Sequence, residues 1–290
     1  MPRWTDYYSA WVSRSEEDRE LRNTRPRFSG VLAGVFLAGL LSTVVPAQGE
    51  AGADKTGTNP INFTYDARIY NEFIWLNADG DGENNVTTVE FRAPLLDGKY
   101  QFRVKARYSS IEADFNDDGI DEVDESGFGD VDVRILTVPY LDMSKKLAFA
   151  VGWETFFDTA SEDVLGSGTL SFGPQAFLVF FEPFGMKGAL FAPAYQHKFS
   201  VDEDDGRDEV HQGLIDLFLV MSSPSKQHWA IVNPQIVLDY ENSAEFALID
   251  VEMGTMIGTQ GHSVYVRPSI GIGTDRPTDG SIEAGCKVVW

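Results

Sequence analysis

The sequence predicts an all-β fold: a transmembrane, antiparallel, up-and-down β-barrel of about 12 strands, preceded by a signal peptide. Three observations predict it. One apolar run near the N-terminus has the anatomy of an export signal. Beyond residue 60 the apolar residues recur with period two, and no amphipathic helix pattern is sustained. The connections between the alternating segments are short and long by turns.

Composition narrows the class further. The 290 residues carry 23 Lys and Arg against 45 Asp and Glu, a net charge of −22. A nucleic-acid binder needs a basic stripe, so that partner is excluded. With 43% hydrophobic and 12% aromatic residues, the chain is no disordered acidic polymer. Its single cysteine excludes an intrachain disulfide and any cysteine-rich metal site. Only one apolar run approaches membrane-spanning length, which excludes a polytopic helical protein.

That run is 30–45. Arg25 and Arg27 precede it, and Val45-Pro46-Ala47 offers a small-residue cleavage site. Residues 1–47 are therefore expected to be an N-terminal extension and signal peptide. Residues 48–61 follow as a short periplasmic lead-in, and 62–290 form the barrel. Removing 1–47 takes away six basic and five acidic residues and leaves the charge near −23.

The strands come next, in order. In the first, Phe63, Tyr65, Ala67 and Ile69 alternate with Thr64, Asp66, Arg68 and Tyr70. Val89, Phe91, Ala93 and Leu95 continue the pattern, and Asp97-Gly98 supplies a hairpin turn. Tyr100, Phe102, Val104, Ala106 and Tyr108 then oppose Gln101, Arg103, Lys105 and Arg107. Alternation places strands at 62–76, 86–96, 99–111, 127–141, 146–157, 168–182, 187–199, 210–222, 227–240, 244–257, 262–273 and 281–290. Many exceed the usual five or six residues of a soluble sheet and suit tilted strands crossing a bilayer. Pro174, Pro193, Pro234 and Pro268 fall inside them, each expected to require a bulge or a strand break. Leu214 to Met221 alternates poorly, being apolar apart from Asp216. A soluble exported sandwich or lipocalin-like barrel is the rival fold.

Short connections lie at 96–98, 142–145, 183–186, 223–226 and 258–261; longer, often acidic ones lie at 77–85, 112–126, 158–167, 200–209 and 274–280, with 241–243 their one short member. Short periplasmic turns and longer outer loops have this asymmetry, and an even strand number leaves both termini periplasmic. The chain ends on Trp290, with apolar residues at 282, 284, 286 and 288. That resembles the terminal aromatic signal read by the barrel-assembly machinery, an expected partner during insertion into outer-membrane lipid. A Gram-negative outer membrane is the expected location.

Residues 127–134 read GFGDVDVR and residues 164–174 read VLGSGTLSFGP. This pair resembles the outer-membrane barrel family named for the MetA pathway of phenol degradation. The resemblance covers about 120–180. It implies a transport barrel passing small molecules, aromatic ones among them, and names no binding residue.

Several residues bear chemistry. Arg92, Arg103, Lys105 and Arg107 are expected to face the lumen, answered by Asp130 and Asp132 and by Asp66 and Glu72. Opposed charge columns either select solutes or fill the interior as cross-strand ion pairs. The loop 114–125 matches D-x-[DN]-x-[DN]-G-x5-E at each fixed position. Calcium is therefore expected on the side chains of Asp114, Asn116, Asp118 and Glu125 and the carbonyl of Ile120. A second stretch, Asn77-x-Asp79-x-Asp81-Gly82, copies part of that pattern. No catalytic constellation stands out: Asp130-x-Asp132 and Glu209-x-His211 imitate a barrel protease only in composition. The expected function is passive or facilitated transport of small solutes, not catalysis. A structural or adhesive barrel with calcium-ordered loops and a barrel hydrolase are the alternatives.

Overall fold

The computed structural model describes residues 56–77, 82–114, 122–203, 207, 209–258 and 261–290. The expected signal peptide, 1–47, lies outside the described residues. Thirteen antiparallel strand segments form one sheet: β1 Asp66–Leu76, β2 Gly82–Leu95, β3 Tyr100–Asp114, β4 Glu122–Phe128, β5 Val131–Asp142, β6 Leu147–Phe157, β7 Thr169–Phe181, β8 Ala189–Glu203, β9 His211–Ser222, β10 His228–Asp239, β11 Ala244–Ile257, β12 His262–Ile272 and β13 Thr278–Val289. β1 pairs with both β2 and β13, so the sheet closes on itself. β4 and β5 occupy one place in the ring, each pairing with part of β3. The barrel therefore has twelve positions. Closure removes both edges, which would otherwise expose unpaired backbone groups to lipid.

Alternation sorts the side chains. Ile69, Trp75, Tyr100, Tyr108, Ile135, Trp153, Leu178, Ile236, Ile270 and Ile282 point outward and are exposed. Asp66, Glu90, Arg103, Asp132, Glu154, Glu283 and Lys287 point inward and are buried. A soluble barrel would show the reverse, so the rival fold is set aside. Aromatic pairs mark both ends of the apolar band. Tyr65 stacks on Trp290 at 6.4 Å beside the termini, and Tyr108 meets Phe128 edge-on at 5.6 Å near the long loops. The tight turn at 96–99 places Leu96, Asp97 and Gly98 at φ of 50°, 58° and 77°. Glycine tolerates that region without steric cost.

The prolines correct an expectation. At Pro174 the β7–β8 ladder stops at Phe172–Phe199 and resumes at Gln175–Gln196 in the same register. Pro193 interrupts that ladder between Phe177–Ala194 and Phe180–Phe191. Pro234 does the same to β9–β10 and Pro268 to β11–β12. Each proline silences one side of its strand locally, with no bulge, because the other neighbour keeps full pairing. A register shift does occur between Thr137 and Tyr140, which flank Pro139.

The poor alternation of 214–221 also has a physical reason. Leu214 and Phe218 line the lumen, and Val220 is buried. Val220 joins Ala148, Val179, Leu190, Ala192, Trp229, Ile231 and Tyr265 in an apolar cluster. One part of the lumen is therefore as apolar as the lipid face, and period two disappears there from the sequence.

Candidate functional site

The lumen is the site the fold builds. Arg92, Arg103 and Arg134 stand directly opposite one another across β2, β3 and β5, and Glu154 follows on β6. Like charges so paired repel, so carboxylates must interleave. Glu90 does so beside Arg92 at 2.5 Å, Arg68 at 3.5 Å and Lys105 at 3.7 Å. Asp132 accepts from Arg103 at 3.1 Å and from Arg107 at 2.7 Å, while Arg103 also pairs with Glu154. Asp66 accepts from Arg68 at 3.0 Å.

Arg92, Arg103, Lys105 and Arg107 thus line the lumen cavity. Asp132 backs them, 1% exposed. Asp130 does not join them. It lies between β4 and β5, where it accepts from Thr159 N–H at 3.2 Å, Ala160 N–H at 3.3 Å and Ser167 N–H at 2.8 Å. Asp130 is a loop anchor, and it links the two glycine-rich stretches: GFGD at 127–130 is clasped by LGSG at 165–168. Ser161 N–H donates to the Phe128 carbonyl at 2.8 Å from the same loop.

The opposite wall is acidic. Asp216 on β9 and Asp250 on β11 line the cavity, with the amides of Asn233 and Gln235 between them. Nearby, Glu252 accepts from Trp229 Nε1 at 2.7 Å, and Glu283 accepts from Tyr265 Oη at 2.7 Å and pairs with Arg267. The cavity between the walls measures about 560 Å³.

Residues 56–61, the end of the stretch 48–61 expected as a periplasmic lead-in, turn into the terminus-side mouth. Lys287, 2% exposed, donates from Nζ to the Thr56 carbonyl at 2.8 Å. Arg68 Nη2 donates to the Gly57 carbonyl at 3.0 Å. Gly57, at φ 64°, fits where an added Cβ would stand 3.0 Å from Lys287 Cδ. Ile61 packs on the apolar cluster. Thr58 lines both the large cavity and a second one of 300 Å³ that reaches Met143 and Ser222. The segment therefore stands across the lumen and narrows it.

The expected calcium loop is only partly within the described residues; Asn116, Asp118 and Ile120 lie outside them. β3 and β4 form a hairpin that pairs Asp114 with Glu122 and Ile111 with Glu125. Glu125 is thus three residues along the strand from the level of Asp114, about 10 Å at 3.3 Å per residue. The second acidic stretch, 77–82, lies largely outside the described residues as well. Among the described residues no group of three His, Cys, Asp or Glu is placed to hold a metal ion. Asp132 faces the lumen, whereas His211 packs against His197 and Tyr240 at the rim, each at 5.0 Å.

Sequence reasoning missed Arg134 and Lys287. Arg134 continues the alternation 130, 132, 134, so the signal was present. Nothing local marks Lys287 as the anchor of a segment 231 residues away.

No family model matches the chain, and no curated relative matches it. Solved structures do. The chain is similar to the COG4313 outer membrane channel from Pseudomonas putida F1, with 12% identity and a TM-score of 0.62, over 85% of this chain and 100% of that one. It is also similar to the NanC porin, with 11% identity and a TM-score of 0.53, over 77% of this chain and 98% of that one. The fold is therefore that of an outer-membrane β-barrel, and its apolar outer belt places the chain in the outer membrane of a Gram-negative cell.

Proposed function

We propose that the chain is a channel for passive or facilitated movement of small solutes across the outer membrane. The observation that carries this reading is the lumen: a cavity of about 560 Å³ with a basic wall and an acidic wall, inside a barrel whose outer face is apolar. Opposed charge columns orient a polar solute in transit and disfavour bare ions of either sign. The resemblance of 127–134 and 164–174 to the MetA-pathway barrel family supports small solutes that include aromatic ones. The names of the two similar structures, a channel and a porin, support transport over catalysis. Insertion by the barrel-assembly machinery belongs to the same reading and is supported by Trp290, which closes the ladder beside Tyr65.

Planar-bilayer recording tests the proposal. Refolded protein should give discrete conductance steps with weak preference between potassium and chloride. A folded barrel that inserts without conducting would remove the channel reading and favour the structural alternative.

A further inference from the structure

We propose that the lumen contains a binding site for a small zwitterion, its carboxylate held by Arg134 and Gln175 and its ammonium by Asp216, Asn233 and Asp250. This deepens the transport reading and rests on it for biological meaning, though not for the binding itself.

The argument starts from what the ion-pair network leaves over. Arg103, Arg107, Arg92, Arg68 and Arg267 each have a carboxylate within 4.0 Å. Arg134, on the same wall, has none among the described residues, and its Nε is buried without a hydrogen-bond partner. Gln175, which lines the same cavity two strands away, is 9% exposed, and its Nε2 is also unpartnered. The basic wall thus ends in two unused donor groups, one of them a guanidinium fork suited to a carboxylate.

The acidic wall leaves over the complement. Asp216 Oδ1 accepts from Asn233 Nδ2 at 3.2 Å, and Asp250 Oδ2 accepts from Gln235 Nε2 at 3.3 Å. Neither carboxylate has a Lys or Arg nitrogen within 4.0 Å among the described residues; Arg267, which feels the charge of Asp250, is committed to Glu283. Asn233, 3% exposed, keeps an unpartnered Oδ1 beside them. An ammonium has three donors, which matches two carboxylates and one amide oxygen.

Arg134 is among the charged groups acting on Asp216, yet the two form no salt bridge. The gap between them opens on the cavity that both line. Unsatisfied buried polar atoms are uncommon and costly. Here donors gather on one wall and an acceptor with spare carboxylates on the other, which is the pattern a bound zwitterion would complete. Phe156, Phe177 and Phe218 line the same cavity and would cover the methylene chain between the charged ends.

The test is titration calorimetry on detergent-folded protein with 4-aminobutyrate, butyrate and butylammonium at equal ionic strength. 4-Aminobutyrate should bind at least tenfold more tightly than either singly charged analogue. R134Q should abolish that preference, R134K should restore part of it, and D216N/D250N should abolish it from the other end. Heat-modifiable migration on gels verifies that each variant is folded. Equal binding of all three solutes, no heat with 4-aminobutyrate, or an unchanged preference in R134Q and D216N/D250N would overturn the site. Vesicle flux of the same solutes separates the two claims. Binding without flux keeps the site and removes the transport reading; flux without binding does the reverse.

Discussion

Asp132 sits between two guanidinium groups, Arg103 and Arg107, and is 1% exposed. Removing one partner of a buried charge cluster leaves the others uncompensated, which typically costs about 3–5 kcal/mol. Asp132→Ala should therefore destabilise the barrel by about that amount in urea unfolding from detergent. A change below 1 kcal/mol would show that water, not Asp132, compensates these arginines. At the turns the effects are smaller. A hydrogen bond from Lys146, reinforced by its charge, holds the Glu182 carboxyl below its usual value of 4.5. A depressed carboxylate stabilises the fold fully above its unfolded value and loses that contribution as pH falls through the folded one. Glu182→Gln should thus lower the melting temperature slightly at pH 7 and leave it unchanged well below pH 4. A difference that persisted in acid would assign the effect to packing. At this scale the sequence was informative where alternation was strict. The column Arg103, Lys105 and Arg107 was legible because Phe102, Val104 and Ala106 separate its members. Asp130 was misplaced because a strand break at Gly129, hydrogen-bonded to Arg107, takes it out of the alternation.

The strand pattern was legible to within about four residues at each end, since lipid outside and charge inside impose opposite demands on successive side chains. It held even in β9, placed at 210–222 although both its faces are apolar, and failed at the segment 127–141, which the structure divides into β4 and β5. The extended β3–β4 hairpin bears on calcium. Eight of the fourteen residues at 112–125 are acidic, so they repel one another at low salt and attract cations diffusely. Strand pairing sets the backbones of Asp114 and Glu125 about 10 Å apart, a span that an aspartate and a glutamate can close on one ion. Calcium should raise the melting temperature of wild type more than that of Asp118→Ala/Glu125→Gln. An equal response in both, measured by scanning calorimetry, would remove the specific site at Asp114, Asn116, Asp118, Ile120 and Glu125 and leave diffuse screening of an acidic loop. Residues 56–61 form a second element that alternation could not reveal, because its contacts are carbonyls meeting Lys287 and Arg68. Removing the chain up to Ile61 should widen the lumen and raise single-channel conductance several-fold. Unchanged conductance would place the constriction at the charged walls instead.

The whole molecule combines an apolar exterior, a closed hydrogen-bonded wall and an interior whose charges lie on opposed faces. The closed wall satisfies the backbone within lipid, and the exterior band holds the barrel at bilayer depth. Those two properties fix location, while the interior fixes what can pass. Fold and location were legible from export, period two and alternating loop lengths. The walls were only half legible, because Asp216 stands among the apolar inward residues Leu214, Phe218 and Val220 of β9, which erase the period there. The account's central claim is that the lumen is a solute path, and proteoliposome swelling tests it most directly. Vesicles carrying the folded protein should swell in isosmotic small zwitterions faster than protein-free vesicles, with rates falling as solute size grows. Swelling no faster than in protein-free vesicles for every solute, from protein whose heat-modifiable band shows a folded barrel, would contradict it.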